Sequence, residues 1–252
     1  MMHFVNEESI VRKIWGKADT ILFIFAGSAA EFALNKAVDW LYFTGKLPAD
    51  PLGRLFATVA YARKIIFSTE EAANVAIDQI SGIHNQVEAA RGAKIPDWAY
   101  RDVLFMLIDY SIRSYELLER RLSRSEKGDV FNTFRKVGVR MGIKDLPSDY
   151  NAWLNMRDGH LQQNLEAGHF TKDLFKQYKK HLGNARYRLM IMVQSLIAPS
   201  RIVQLLEFGD GKSLIPVLYL YKFSAVFGVQ KFLRNALLPK AYIVQIKSLD
   251  NR

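Results

Sequence analysis

Cysteine is absent from the 252 residues. That excludes disulfides, thiolate zinc sites, iron–sulfur clusters and cysteine nucleophiles, and it fits a reducing compartment. Any metal would need histidine or carboxylate ligands, and there are only five histidines. Long apolar runs are missing too, since none reaches the roughly 18 uninterrupted apolar residues expected of a spanning helix. The longest apolar window, Ser213 to Leu233, is broken by Pro216 and Lys222. The opening residues MMHFVNEESIVRK lack the basic-then-apolar order of a signal peptide. A soluble, cytoplasmic protein is therefore expected.

Strand signals are scarce. Only Ala241-Tyr-Ile-Val-Gln-Ile reads as a terminal strand or a helix end, and no fixed repeat, low-complexity tract or long linker appears. Acidic residues thin out along the chain. Residues 1–170 carry 21 basic and 21 acidic side chains, whereas residues 171–252 carry 14 and 4, so the net charge of +10 sits in the last third. Such asymmetry points to an acidic partner or to a solvated basic face.

Half the residues are hydrophobic and 12% are aromatic, enough for a large core. Helix signals run throughout. A short first helix is expected over residues 7–16, then a second capped by Asp19 and running to about Asn35. Its segment ILFIFAGSAAEFAL is apolar nearly all round and so should be central. A more irregular aromatic segment, 37–46, follows. Asp50-Pro51 is a helix start, with Asp50 as cap and Pro51 in the first turn, and that helix should reach about Phe67. Ser68 with Glu71 reads as a capping box for the next helix, which keeps Ala76, Ile80, Ile83 and Val87 on one stripe and ends at Gly92.

Pro96-Asp97 opens a long helix to about Leu122, with Asp109–Arg113 and Glu116–Arg120 as four-apart pairs on its wet side. Ser123 with Glu126 is a second capping box. Ser148 should cap a helix to about Glu166, and Thr171 another to Leu182, ending at Gly183. Segments 184–197 and 200–208 follow, then one or two apolar helices. The expected fold class is all-α: one globular domain, residues 1–252, of about ten helices around a buried cofactor pocket.

Residues 50–92 hold the most suggestive side chains. His84 shares a helical face with Ile77, Ile80 and Val87. A histidine there is either a core residue bonded to a carbonyl or water, or an axial ligand to haem iron presented from an apolar wall. Arg54 and Thr58 lie one turn apart and point the same way. Arg54 sits at the edge of the stripe Leu55, Val59 and Ala62, where it serves either an ordinary salt bridge or an anion such as a haem propionate or bound oxygen species.

His160 falls on a mixed face with Trp153 and Met156, and His169 and His181 read as surface or helix-end positions. No histidine pair has metalloprotease spacing, no Glu-x-x-His repeat marks a di-iron bundle, and Gly209-Asp-Gly-Lys-Ser lacks the spacing of a phosphate loop. No nucleophile elbow is present.

Arg54-x-x-x-Thr58, Phe67 with Glu71-Ala72, and His84-x-x-Val87 resemble the MpaB-type oxygenase family, which includes the latex-clearing rubber oxygenase. The order continues with Ile95-Pro-Asp-Trp-Ala-Tyr-Arg-Asp-Val-Leu and Val137-Gly-x-x-Met-Gly-Ile before Leu146-Pro147. The similarity spans roughly residues 20–165. It implies that His84 is the proximal ligand of haem b and that Arg54 and Thr58 lie by the haem pocket.

Two positions depart from the pattern. Ala57 stands where the rubber-cleaving branch has a lysine able to ligate the iron, and Glu88-Ala89-Ala90 replaces a frequent glycine after His-x-x-Val. Rubber itself is therefore a poor expectation for the substrate.

The resulting expectation is a haem-b-dependent oxygenase using O2 on an apolar small molecule. Ligand His84 and pocket residues Arg54 and Thr58 would serve it, with the apolar helix around Ile21–Leu34 shaping the substrate pocket. A haem sensor or carrier without oxygenase chemistry is one alternative. The other is a helical module docking on an anionic membrane through residues 213–240, with Lys222, Lys231, Arg234 and Lys240 around the apolar window. No nucleic-acid motif is present, and none is expected as a partner.

Overall fold

Helix α2, Ala18–Leu34, is the axis around which the other helices pack. In the computed structural model, residues 2–224 are described, together with Val244 and Leu249. The other helices are α1 (Ile10–Trp15), α3 (Asp39–Phe43), α4 (Lys46–Ala49), α5 (Pro51–Phe67), α6 (Glu70–Arg91) and α7 (Asp97–Leu118). They continue with α8 (Arg124–Arg140), α9 (Tyr150–Gln163), α10 (His169–Ile197), α11 (Ser200–Leu205) and α12 (Ile215–Ser224). Among the described residues no strand forms, only the isolated bridges His3–Thr69 and Asn35–Leu165. The fold is all-α, as expected. The segment from Ala241 that reads as strand or helix end lies mostly outside the described residues.

The central position of α2 follows from its composition. Thr20, Ile21, Ile24, Ala30, Ala33 and Leu34 are all shut off from solvent, and α2 lies between α7 and α10. The main core gathers Trp15, Ile21, Ile24, Ile66, Ile77, Tyr110 and Phe131 from α1, α2, α5, α6, α7 and α8. Close approach of α7 to α2 depends on Gly27. A Cβ there would come within 2.3 Å of the Tyr110 ring. On the far side, Ala29 and Ala33 admit Leu174 and Tyr178 of α10 into a second cluster.

Several starts and stops fall where local chemistry predicts. The Asp50 carboxylate accepts the Gly53 N–H at 2.8 Å with Pro51 in the first turn, and α5 runs to Phe67. Ser123 and Glu126 form the reciprocal capping box of α8. Gly92, at φ 69°, ends α6 in the left-handed conformation that glycine tolerates best.

Other boundaries shift because tertiary contacts compete. Thr69, not Ser68, caps α6: residues 2–4 pair with this stretch, Phe4 N–H donating to the Ser68 carbonyl at 3.2 Å and Glu70 N–H to that of Met2 at 3.0 Å. Asp149, not Ser148, caps α9, because its carboxylate accepts both the Asn151 and Ala152 N–H groups. The aromatic segment after Asn35 forms α3 and α4. Thr171 lies inside α10, where its hydroxyl accepts from Gly168 N–H and donates to the Ala33 carbonyl. The two helices expected on either side of Gly183 run on as α10 across a kink at that residue, φ 72° and ψ 168°.

The Glu116–Arg120 pair does not form. Arg120 turns to Glu126 and Glu116 to Lys127. Asp109 does hold Arg113, but from a buried position and not from a wet face. Ile83, expected on the packed stripe of α6, is 41% exposed.

Candidate functional site

His84 sits four turns into α6 and lines a cavity of about 430 Å³. Ser81, Asn85 and Glu88 of α6 share that lining with Lys94 and Ile95 of the following turn, Tyr100 of α7 and Met141 to Lys144 beyond α8. The lining is thus more polar than expected, and α2 contributes none of its described residues because its apolar side chains are consumed in the core. His84 is half-buried and makes no hydrogen bond among the described residues, its Nδ1 being enclosed without a partner. Burial holds its pKa below the ordinary value of 6.5, the Arg54 charge adds to that, and Glu88 opposes both. The imidazole is therefore neutral near pH 7, the form that ligates a metal.

Arg54 and Thr58 lie one turn apart on α5. The Arg54 guanidinium is partly desolvated, which pushes its pKa down against a small opposing effect of Tyr61. It joins no ion pair and no hydrogen bond among the described residues. A cation in that state is short of an anion. The Thr58 hydroxyl donates to the Arg54 carbonyl at 3.3 Å. Arg54 is close enough to His84 to shift its pKa, but neither Arg54 nor Thr58 lines the cavity beside His84. Among the described residues no group of three or more His, Asp or Glu side chains converges to hold a bare ion. A single histidine suits a metal that arrives with its other ligands, as in haem. The neutral ring and the unpaired Arg54 fit such a group, while the enclosed Nδ1 finds no acceptor among the described residues.

A second constellation lies deeper. Arg157 and His160 of α9 face Glu31 of α2 and Asp102 and Asp109 of α7, and all five side chains are buried. Arg157 forks both ways: to Glu31, where Nη2 lies 2.6 Å from Oε2 and Nη1 contacts Oε1, and to Asp109 at 2.9 and 3.0 Å. His160 Nε2 is 2.7 Å from Glu31 Oε1. Its Nδ1 is also 2.7 Å from Asp102 Oδ2, an ion-pair contact whose angle is poor for a hydrogen bond. Asn35 and Asn164 amides complete Asp102.

Burial would raise the Glu31 pKa, but Arg157 by charge and hydrogen bonds, and then His160, hold it at about 2. Burial would lower that of His160, yet its close contacts with Asp102 and Glu31 raise it above 6.5. With Arg113 on Asp109, two arginines and His160 face three carboxylates. Sequence reading missed this cluster. Its one local trace is the i, i+3 pair Arg157 and His160, and nothing nearby signals that Glu31, inside the most apolar helix, is their partner.

Residues 15–241 match the family model described as ER-bound oxygenase mpaB/B′/rubber oxygenase, catalytic domain. The chain belongs to that family. The match reaches well past residue 165, so the last third is part of the mpaB/rubber oxygenase catalytic domain and not an unrelated extension. Membership places the kind of function among the oxygenases. No curated protein and no solved structure matches the chain. Within this mpaB-like chain, no described helix is long and apolar enough to cross a membrane.

Proposed function

We propose that this chain is a haem-b-dependent oxygenase acting with O2 on an apolar small molecule, with His84 as the axial ligand. The observation that carries the reading is the neutral, half-buried imidazole of His84, its Nδ1 without a partner and its neighbour Arg54 without an ion pair among the described residues. When bound, haem supplies the redox-active iron that activates O2. The chain's own contribution is to keep His84 deprotonated and to offer it from a helix wall. Arg54 provides a desolvated cation for a propionate or for negative charge developing on oxygen. Thr58 holds a hydroxyl one turn away, parked on the Arg54 carbonyl until a better acceptor comes within reach. Rubber, named in the family description, is an apolar hydrocarbon; that polarity is the property carried over to the substrate. Ala57, in the position where rubber-cleaving members resemble one another by a lysine, argues against the polymer itself.

The test is the absorption spectrum of wild-type protein and of His84→Ala, both produced with ample haem. A Soret band in the wild type that is lost or shifted in the variant is expected. A colourless wild type after haem reconstitution would overturn the assignment. Oxygen uptake with a reductant then separates an oxygenase from a haem carrier, which would consume none.

One observation favours a second, compatible property. On α12, Val217, Tyr219 and Leu220 are 52%, 70% and 71% exposed. Between Asp210 and Asp250 the chain has six basic residues and no acidic one. Apolar surface within a basic segment suits the interface of an anionic bilayer. Lys231, Arg234 and Lys240 lie outside the described residues. Co-sedimentation with phosphatidylserine-containing vesicles, lost at high salt and in Tyr219→Ser/Leu220→Ser, is the expected result; equal binding to neutral vesicles would contradict it.

A further inference from the structure

We propose that Glu88 is a positioning residue for His84, acting through Tyr100. Glu88 follows His84 by one turn of α6, and its carboxylate is 7% exposed. A carboxylate so enclosed needs several donors. The chain supplies them by reversing sharply at Gly92, where the Gly92 and Ala93 N–H groups return to the Ala89 and Glu88 carbonyls. The reversal carries Lys94 and Ile95 back over the carboxylate: Lys94 Nζ lies 2.6 Å from Oε2, and the Ile95 N–H donates to Oε1 at 3.0 Å.

Those two contacts serve the turn. The third does something else. Tyr100, in the first turn of α7, donates its hydroxyl to Glu88 Oε1 at 3.1 Å. The Tyr100 ring in turn lies against the imidazole, with centroids 5.1 Å apart and planes at 59°. A histidine that binds metal is commonly oriented by a hydrogen bond from its second nitrogen. Among the described residues His84 has no such bond, Nδ1 being enclosed and unpartnered. Packing must set the plane of the ring instead, and Tyr100 is the aromatic that packs on it. Glu88 fixes Tyr100, and Tyr100 fixes His84. The carboxylate thereby ties the end of α6, the turn and the start of α7 to one ring orientation.

The role assigned to the ring rests on His84 being the axial ligand, so the test reads the ring with and without haem in the full chain. Without haem, the His84 ring signals, assigned by their loss in His84→Ala, are followed by proton–carbon NMR. In the wild type they should be displaced by the Tyr100 ring current. In Glu88→Gln and in Tyr100→Phe they should move back toward the free-imidazole position while far-UV circular dichroism is unchanged. With haem, the haemin Kd of both variants should rise about tenfold.

Unchanged ring signals in both variants would overturn the proposal, as would an unchanged haemin Kd. Ring signals that shift in a protein taking up no haemin would leave the positioning intact and remove the axial-ligand reading. Should Glu88→Gln fail to fold, Tyr100→Phe, which keeps the packed volume and loses only the anchoring hydroxyl, decides alone.

Discussion

His160 Nε2 lies 2.7 Å from Glu31 Oε1, with both side chains closed off from solvent. Together with Arg157, the pair joins α9 to the central helix through charge. Its two members are shifted in opposite directions. Glu31 sits at about 2 against an ordinary 4.5, so its contribution is complete above pH 4.5 and is lost as pH falls toward 2. His160 is raised above 6.5, so its contribution is complete below that value and is lost as pH rises through the folded pKa. Thermal midpoints measured from pH 4 to 9 should therefore fall on the alkaline side. In His160→Gln that alkaline decline should disappear. A wild-type midpoint that is level across pH 6 to 9 would refute a charged His160.

Removal of Arg157 should be far more damaging than removal of a surface arginine. It is the bidentate partner of Glu31 and Asp109, and without it two carboxylates stay buried, Glu31 left with His160 alone and Asp109 with Arg113 alone. Arg157→Met should cost about 3–5 kcal/mol in denaturant titration. Arg157→Lys should recover only part, since an ammonium cannot fork to two carboxylates. Arg140→Met, at an exposed pair with Asp78, should leave the denaturation midpoint nearly unchanged.

Gly27 should not tolerate even one methyl group. An added Cβ meets the Tyr110 ring at 2.3 Å, and that ring is locked between α2 and α7. Gly27→Ala should destabilise by about 1–3 kcal/mol as overpacking. Gly82, also helical, has open space where its Cβ would go. There the same substitution should stabilise by up to about 1 kcal/mol through helix propensity. Urea midpoints of the two variants, moving in opposite directions, check both statements.

Arg54 carries a desolvation cost with no acidic partner among the described residues to offset it. Arg54→Met should leave the thermal midpoint of the haem-free protein unchanged or higher, while haemin affinity falls about tenfold, the scale of one charge-assisted hydrogen bond. A lowered midpoint with unaltered haemin affinity would make Arg54 structural.

The sequence was most legible where the determining groups lie within one helical turn of each other. Asp50 with Pro51, Ser123 with Glu126 and Gly92 each mark a helix end through backbone groups at most a few residues away. Where a distant segment competed, as residues 2–4 do at Thr69, the boundary moved by one residue. His84 stood out because a histidine on an otherwise aliphatic stripe is unusual. Its actual surroundings, a polar cavity and the Glu88–Tyr100 brace, depend on how the turn after Gly92 folds back.

By itself, then, the sequence determined the absence of thiol chemistry, the all-helical class, the family and most helix ends. These follow from composition, ordered motifs and short-range backbone chemistry. Only the tertiary structure decided that Glu31, inside the most apolar helix, is the carboxylate that neutralises Arg157, 126 residues away. It also decided that His160 is buried between Glu31 and Asp102 and not on a mixed face. No local pattern marks such a pairing, because what selects the partner is the cost of leaving either charge alone in the core, and that cost exists only once α2, α7 and α9 have closed around them.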